Sequence, residues 1–370
     1  MPSLSKPAPS PMHYRPILKC KTGEFRALRE LAPEVKANLT PILEIPFISD
    51  HDDDPPQPAA FLRRRARKVE MNWGTEDRIM IDARMFNRTL NNGRHPLEYF
   101  GEDLDEKGID WIPVSGPDRD DEYHVAVQEC VVRNRRGAAI RLREEALTPV
   151  AADLAAILES ECEAYGVQPE EVDLILDYGA IPPNASNAVL GSTIAIMTVL
   201  PDPNSWRSIT VAGTSYPETL TTAGIGTGET GTIDREAWKM YNALARVNGA
   251  LQRMPDHGDY GITYPELADI HPAILQSAMA ASVKYTTTDE WLIFRGHRIR
   301  DHGLDQFRGL AQTLAAHDAF DGADFSWGDA KIARIADGDE NQGNATTWVS
   351  IGTSHHLTRV RRDLSNLAAL

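Results

Sequence analysis

Cysteine is scarce in this chain: three in 370 residues, Cys20, Cys130 and Cys162, all far apart. That spacing excludes a closely paired zinc or redox motif, and the odd number argues against a disulfide framework. A reducing cytoplasm is the expected compartment. Long apolar runs are missing too. No stretch approaches the roughly 18 to 20 residues that a spanning helix needs, and no membrane partner is expected. The opening MPSLSKPAPSP is Pro/Ser-rich without an apolar signal segment, so residues 1–13 are expected to be an unpacked leader. Positive charge is in deficit, with a net charge of −16. That balance counts against a general nucleic-acid binder driven by counterion release, while leaving room for a local basic pocket. No GxGxxG follows the first apolar segment and no Walker motif is present, which counts against a dinucleotide fold or a P-loop.

What is present is an ordinary apolar content of 42%, enough for a large core, and a repeating pattern. Tyr14 to Pro46, YRPILKCKTGEFRALRELAPEVKANLTPILEIP, reads as strand, helix, strand: Arg15 to Lys21, Phe25 to Leu31 and Thr40 to Pro46. Further strands are expected at Arg78 to Arg84, Ile109 to Ser115, Gly137 to Arg143, Val172 to Tyr178 and Arg207 to Gly213. The eighth is expected in HGDYGIT near Gly258 to Thr263, with Ser282 to Gly296 as its rival. Helical spacing fills the intervals, including Pro96 to Lys107, Glu122 to Asn134, Thr148 to Tyr165, Ala185 to Leu200 and Asp234 to Val247. The arginine-rich FLRRRARKVE reads as a solvated helix face. Such alternation predicts an α/β fold, a (β/α)8 TIM-like barrel over 14–280. A C-terminal α+β extension over 281–370 is expected to pack on it and complete or cap it. Within the extension VKYTTTDEWLIFRG reads as a two-stranded excursion, and TTWVSIGTSHHL as a strand or loop running into a helix.

In combination, YRPILKCKTGEFRAL…TPILEIP, HGDYG, VKYTTTDEWLIFRG, FSWGDAKI and TTWVSIGTSHHL resemble the phage beta protein family, over about Tyr14 to His356. The resemblance implies a phage or prophage setting, and with it phage–host conflict and anti-phage defence. The family name implies no particular reaction.

Most of the expected strands end in charge, and in a barrel of this kind strand C-termini converge on one mouth. Lys19, Lys21, Glu44, Arg84, Arg141 and Arg143, with Ser215 and Arg295, are therefore the expected ligand-binding residues. Period-two alternation puts Lys19 with Lys21, and Arg141 with Arg143, on shared faces. Glu24 is expected either to pair with those lysines or to support the helix behind it. Glu44, Asp82 and Asp177 are a candidate set for a divalent ion such as Mg²⁺. Asp177, Asp259, His355 and His356 are the candidate catalytic groups, one histidine serving as acid or base and the other as structure. Asp329 reads as an N-cap, and Trp291, Trp327 and Trp348 as packing between extension and barrel. GIGTGETG after the seventh strand reads either as phosphate-binding amides or as a surface loop, and if mobile as a lid.

Cations that fork onto phosphate, beside carboxylates that hold a hard ion, predict a phosphorylated ligand, either a nucleotide or a nucleic-acid end. One expectation is metal-dependent phosphodiester hydrolysis or transfer. The other is a non-catalytic module on the same scaffold, binding a protein or a nucleotide signal. A sugar-phosphate enzyme is a third class, without a motif of its own. A structural reading pairs the same charges as salt bridges around the rim.

Overall fold

In the first strand, β1 (Tyr14–Lys19), alternation sets the plan of the molecule. Ile17 joins the apolar cluster inside the barrel, while Tyr14 and Leu18 join the layer beneath the outer helices. The structure is a computed structural model describing residues 12–368 except 53, 92, 248, 250, 272, 273, 275 and 276, so residues 1–11 of the expected leader lie outside the described part. The other barrel strands are β2 (Ile42–Glu44), β3 (Ile79–Asp82), β4 (Trp111–Ser115), β5 (Ala138–Arg143), β6 (Val172–Ala180), β7 (Ser208–Thr214) and β9 (Asp256–Asp259). They form a closed parallel barrel in that order, with β9 pairing back onto β1 at Tyr14 and His257. Parallel strands need crossovers, and helices such as Thr22–Arg29, Pro58–Asn72, Asp121–Asn134 and Ala151–Tyr165 supply them.

The interior is layered. Ile17, Ile42, Met80, Ile112, Ala139 and Ile175 make an apolar middle, each of the larger side chains contributing about 1.5–3 kcal/mol by burial. Below it, Arg15 pairs with Asp256 and lies 3.9 Å from Asp173, which Arg207 also holds at 2.7 Å. Above it stand Lys19, Glu44, Asp82, Arg141 and Asp177, all buried. The charged layers thus cap a dry centre from both ends.

The eighth barrel strand lies slightly earlier than expected, at Asp256–Asp259, and Tyr260–Thr263 is a turn. The rival segment forms the antiparallel hairpin β10 (Ala280–Thr286) and β11 (Glu290–Arg298). A third strand, β8 (Thr230–Asp234), leaves the barrel between β7 and β9 to pair with β11. The glycine-rich stretch Gly224–Gly231 therefore ends inside a sheet rather than in a free loop. Tyr216, Ile225, Ile262, Trp291 and Ile293 form the apolar seam there, whereas Trp348 stacks on Phe307 within the extension's own core.

Ala345–Ala368 is one continuous helix, where a strand or loop was expected before it. Its TTWVS stretch is β-branched and strand-like by propensity, but tertiary packing overrides that preference. Ser350 closes its own hydroxyl onto Thr346 O at 3.0 Å.

Candidate functional site

Arg141 is the hub of the upper layer. Strand β5 carries it inward, and its Nε donates to Asp177 Oδ2 at 2.9 Å, its Nη1 to Glu44 Oε1 at 2.9 Å and Asp82 Oδ2 at 2.7 Å, and its Nη2 to Tyr260 Oη at 2.7 Å. Tyr260 Oη in turn donates to Asp177 Oδ2 at 2.6 Å. Burial disfavours charge on Arg141, but Tyr260 and the three carboxylates outweigh it and hold the guanidinium well above its ordinary pKa. Burial alone would raise Asp82 and Asp177; Arg119 and Arg141 pull the first down, and Arg141 with the Tyr260 hydroxyl the second. The expected metal set of Glu44, Asp82 and Asp177 does converge, but on this guanidinium instead of an open ion position. No group of three or more His, Cys, Asp or Glu able to hold a metal ion occurs among the described residues.

A second cation backs each carboxylate. Lys19 Nζ donates to Glu44, Arg119 Nη2 lies 3.1 Å from Asp82, and Arg143 Nε lies 3.4 Å from Asp177. Above them passes the segment that follows β9. The Pro265 carbonyl accepts from Lys19 Nζ. Glu266 Oε1 accepts from Arg84 Nη2 and from Arg143 Nη2, each at 2.8 Å. Five cations, Lys19, Arg84, Arg119, Arg141 and Arg143, thus face three strand carboxylates, and Glu266 with Asp118 makes up the difference. Beside this strap, Arg143, Asp177, Tyr264 and Glu266 line a cavity of about 460 Å³.

A match to the family described as Beta protein spans residues 14–362. The chain belongs to the Beta protein family. Among curated proteins none matches the sequence. Among solved structures, the catalytic domain of a hyperthermophilic chitinase from Pyrococcus furiosus shares 13% identity at a TM-score of 0.37, covering 72% of this chain and 92% of its own. Triosephosphate isomerase from Bartonella henselae shares 10% at 0.33, covering 67% and 92%. Likenesses at this level bear on neither substrate nor reaction.

In this beta protein the other expected residues scatter from the mouth. Just past the end of β9 Tyr260 turns into the barrel; Asp259, the last residue of β9, lies on the opposite face, accepting from Tyr14 Oη at 2.6 Å and lying 3.0 Å from His356 Nε2. Burial would raise Asp259, but His356 and His257 hold it well below the carboxylate range. Burial lowers the pKa of His356 against the upward pull of Asp259. His355, one position earlier, reaches Asp329 Oδ2 at 2.9 Å and Thr286 O at 2.7 Å. Both histidines are wholly buried between barrel and extension. Their catalytic assignment, with that of Asp259, lacks access to the mouth.

Lys21 also departs from expectation: β1 stops at Lys19, alternation ends, and Lys21 takes the N-cap position of helix Thr22–Arg29. Ser215 Oγ donates to Asp234 O at 2.5 Å and accepts from Glu236 N at 2.9 Å, serving a helix start. Arg295 Nη1 donates to Thr221 Oγ1 at 3.0 Å and to Ile225 O, pinning the glycine-rich stretch. Asp329 is not the N-cap; Ser326 is, and Asp329 lies three residues inside, where Tyr285 Oη donates to it at 2.8 Å. Tyr260, Arg119 and Glu266 were missed. Tyr260 stood next to the chosen Asp259 in HGDYG, but Arg119 and Glu266 sit in loops where no periodicity marks them.

Proposed function

We propose that this Beta protein binds a phosphorylated ligand, a nucleotide or a nucleic-acid end, at the strand C-terminal mouth, with Arg84 and Arg143 as the anion clamp. The observation that supports this reading is the meeting of both guanidiniums on the single carboxylate of Glu266, whose side chain is 46% exposed. Two forked donors aimed at one anion, borrowed from a loop, suit a phosphate equally well. Binding without turnover is the reading that the geometry favours, because Arg141 already engages the carboxylates that hydrolysis through a divalent ion would need. In the phage setting that the family resemblance implies, the ligand is a signal or end produced in phage–host conflict.

The test is calorimetric titration with a panel of mono-, di- and triphosphate nucleotides and short 5′-phosphorylated oligonucleotides, with and without Mg²⁺. One class is expected to bind, to remain intact on incubation with Mg²⁺, and to lose at least about tenfold in affinity in Arg84→Ala/Arg143→Ala. Equal binding by the double variant sinks the clamp; metal-dependent breakdown of the ligand restores the hydrolytic reading.

A further inference from the structure

Arg84 and Arg143 reach Glu266 from two different cavities. Arg84 lies in the lining of one of about 710 Å³, walled by residues that follow β3 and β4. Arg143 and Glu266 lie in the lining of the other, of about 460 Å³, walled by residues that follow β5 and β6 and by the strap. The barrel order β3, β4, β5, β6 sets the two side by side along the mouth. The Glu266 carboxylate, accepting from an arginine of each, stands between them. Each cavity is within the size range of small-molecule sites.

Glu266 does not satisfy the anion site that it occupies. The Arg143 side chain is 8% exposed, and its Nε lies 3.4 Å from Asp177 without a hydrogen bond. Arg84 Nε is likewise buried without a partner. The two guanidinium forks thus keep donors that one carboxylate does not reach, whereas the non-bridging oxygens of a phosphodiester or a pyrophosphate offer more acceptors. The cavities themselves suit something other than phosphate. Phe86, Leu90 and Tyr123 wall the larger, where the Tyr123 and His95 rings meet edge-on at 4.9 Å. Asp121, Glu122 and Glu129 of helix Asp121–Asn134 also line it and are exposed. A further phosphate is repelled there, while ribose hydroxyls and base N–H groups find acceptors. In the smaller cavity Tyr178 Oη donates to Ser192 Oγ at 3.3 Å and accepts from Thr193 Oγ1 at 3.1 Å, which fixes its ring. With Tyr264 and Leu147 it supplies apolar and aromatic surface for a base.

We infer that the ligand of the mouth is a dinucleotide: two nucleosides joined through phosphate, one in each cavity, with the joining phosphate on Arg84 and Arg143 in place of Glu266. The inference rests on the phosphate clamp proposed above and adds a second nucleoside to it. A mononucleotide anchored on the clamp reaches into one cavity. A dinucleotide fills both, and its second nucleoside binds at the high effective concentration that the linkage gives it. A long phosphate tail is disfavoured on either side, because the larger cavity is acidic and the smaller one presents Glu144 and Asp177.

The probes are the 3′,5′-dinucleoside phosphates and the dinucleoside pyrophosphates of adenosine, guanosine, cytidine and uridine, each titrated into the full chain beside its mononucleotide. One dinucleotide is expected to bind at least about tenfold more tightly than its mononucleotide, and the series it belongs to fixes the linkage. Val125→Trp, at a position 54% exposed in the lining of the larger cavity, and Ala180→Trp, exposed in the lining of the smaller, narrow the cavities without touching the clamp. Each is expected to remove most of the dinucleotide's advantage, while the mononucleotide responds to no more than one of them. Circular dichroism confirms that both variants are folded. The inference is overturned, with the clamp left standing, if every dinucleotide binds no better than its mononucleotide while both lose at least about tenfold in Arg84→Ala/Arg143→Ala. It is overturned as well if either tryptophan variant binds the dinucleotide as the parent does, or if no probe binds. Nucleotide binding that ignores the arginine change ends the clamp reading too.

Discussion

Arg141 and Asp177 sit on neighbouring strands β5 and β6 with Nε and Oδ2 2.9 Å apart, wholly buried. The pair is part of a cluster in which one guanidinium serves three carboxylates. Its replacement leaves those carboxylates facing one another, each with a single remaining cation. Arg141→Met is therefore expected to lose about 3–5 kcal/mol of stability at pH 7, the cost typical of breaking a buried ion cluster from one side. The sign of its pH response should also change. Without Arg141, Asp82 and Asp177 lose a cation that holds them low, so burial is expected to push their folded pKa values up, and a group raised above its unfolded value gains stability as pH falls. Urea melts at pH 7 and pH 5 check this: the deficit of the variant against the parent should shrink at pH 5. An equal deficit at both values contradicts the shared role.

Glu266 occupies the clamp without being fixed in the barrel, so it competes with any arriving anion. Removing its charge should free Arg84 and Arg143 at little structural cost, since a half-exposed ion pair contributes about 1 kcal/mol or less. Glu266→Gln is expected to shift thermal stability only slightly and to bind the mouth ligand more tightly, by up to about fivefold, the factor that about 1 kcal/mol carries. Titration of parent and variant with the same ligand decides it. Unchanged or weaker affinity means that Glu266 belongs to the ligand site as a contact rather than a competitor.

The barrel was legible from β1 onward because strand and helix periods differ and most strands advertised themselves by an apolar run ending in charge. The upper-layer residues Lys19, Glu44, Asp82, Arg141 and Asp177 were legible for the same reason, since alternation carries their side chains inward. Their meaning was not. A carboxylate trio reads alike whether it surrounds a metal ion or an arginine, and only the three-dimensional placement of Arg141 decides between them. Alternation misled at the end of β1, which stops before Lys21; Asp259 was chosen as the charged residue near a strand end, whereas Tyr260, just past β9, is the one that turns inward. Glu266 lies in a segment with no period to read. His355 and His356 suggested acid–base chemistry because histidine titrates near neutrality and the pair lies in a motif that carries the family resemblance, yet burial in a helix gave them partners on two different faces.

Asp259 and His356 join β9 to the C-terminal helix, and a structural role for them makes a distinct prediction. His356→Gln and Asp259→Asn should each lower stability by several kcal/mol, since each strands a buried polar partner. The fraction that remains folded should bind the mouth ligand with parental affinity. Chemical denaturation and titration on the same preparations separate the two effects. Lost binding or turnover with stability intact returns both residues to the site.

His13 gives the chain a measurable acid response. Its backbone N donates to Asp256 and its Nε2 lies 2.8 Å from Thr40 Oγ1. Burial, then Arg15 and Arg361, lower its pKa to about 3, against a smaller upward pull from Asp173. The unfolded chain takes up this proton near pH 6.5, whereas the folded chain refuses it until about pH 3. Between those values the unfolded state binds more protons, so stability falls as pH falls. His95 and His356, also lowered, act in the same direction, while the raised Glu24 and Asp256 oppose it at the acid end. Comparison with His13→Asn isolates the single contribution: its urea midpoint should decline less than the parent's between pH 7 and pH 5. Parallel declines would show that burial and the charges of Arg15 and Arg361 do not keep His13 unprotonated in the folded chain.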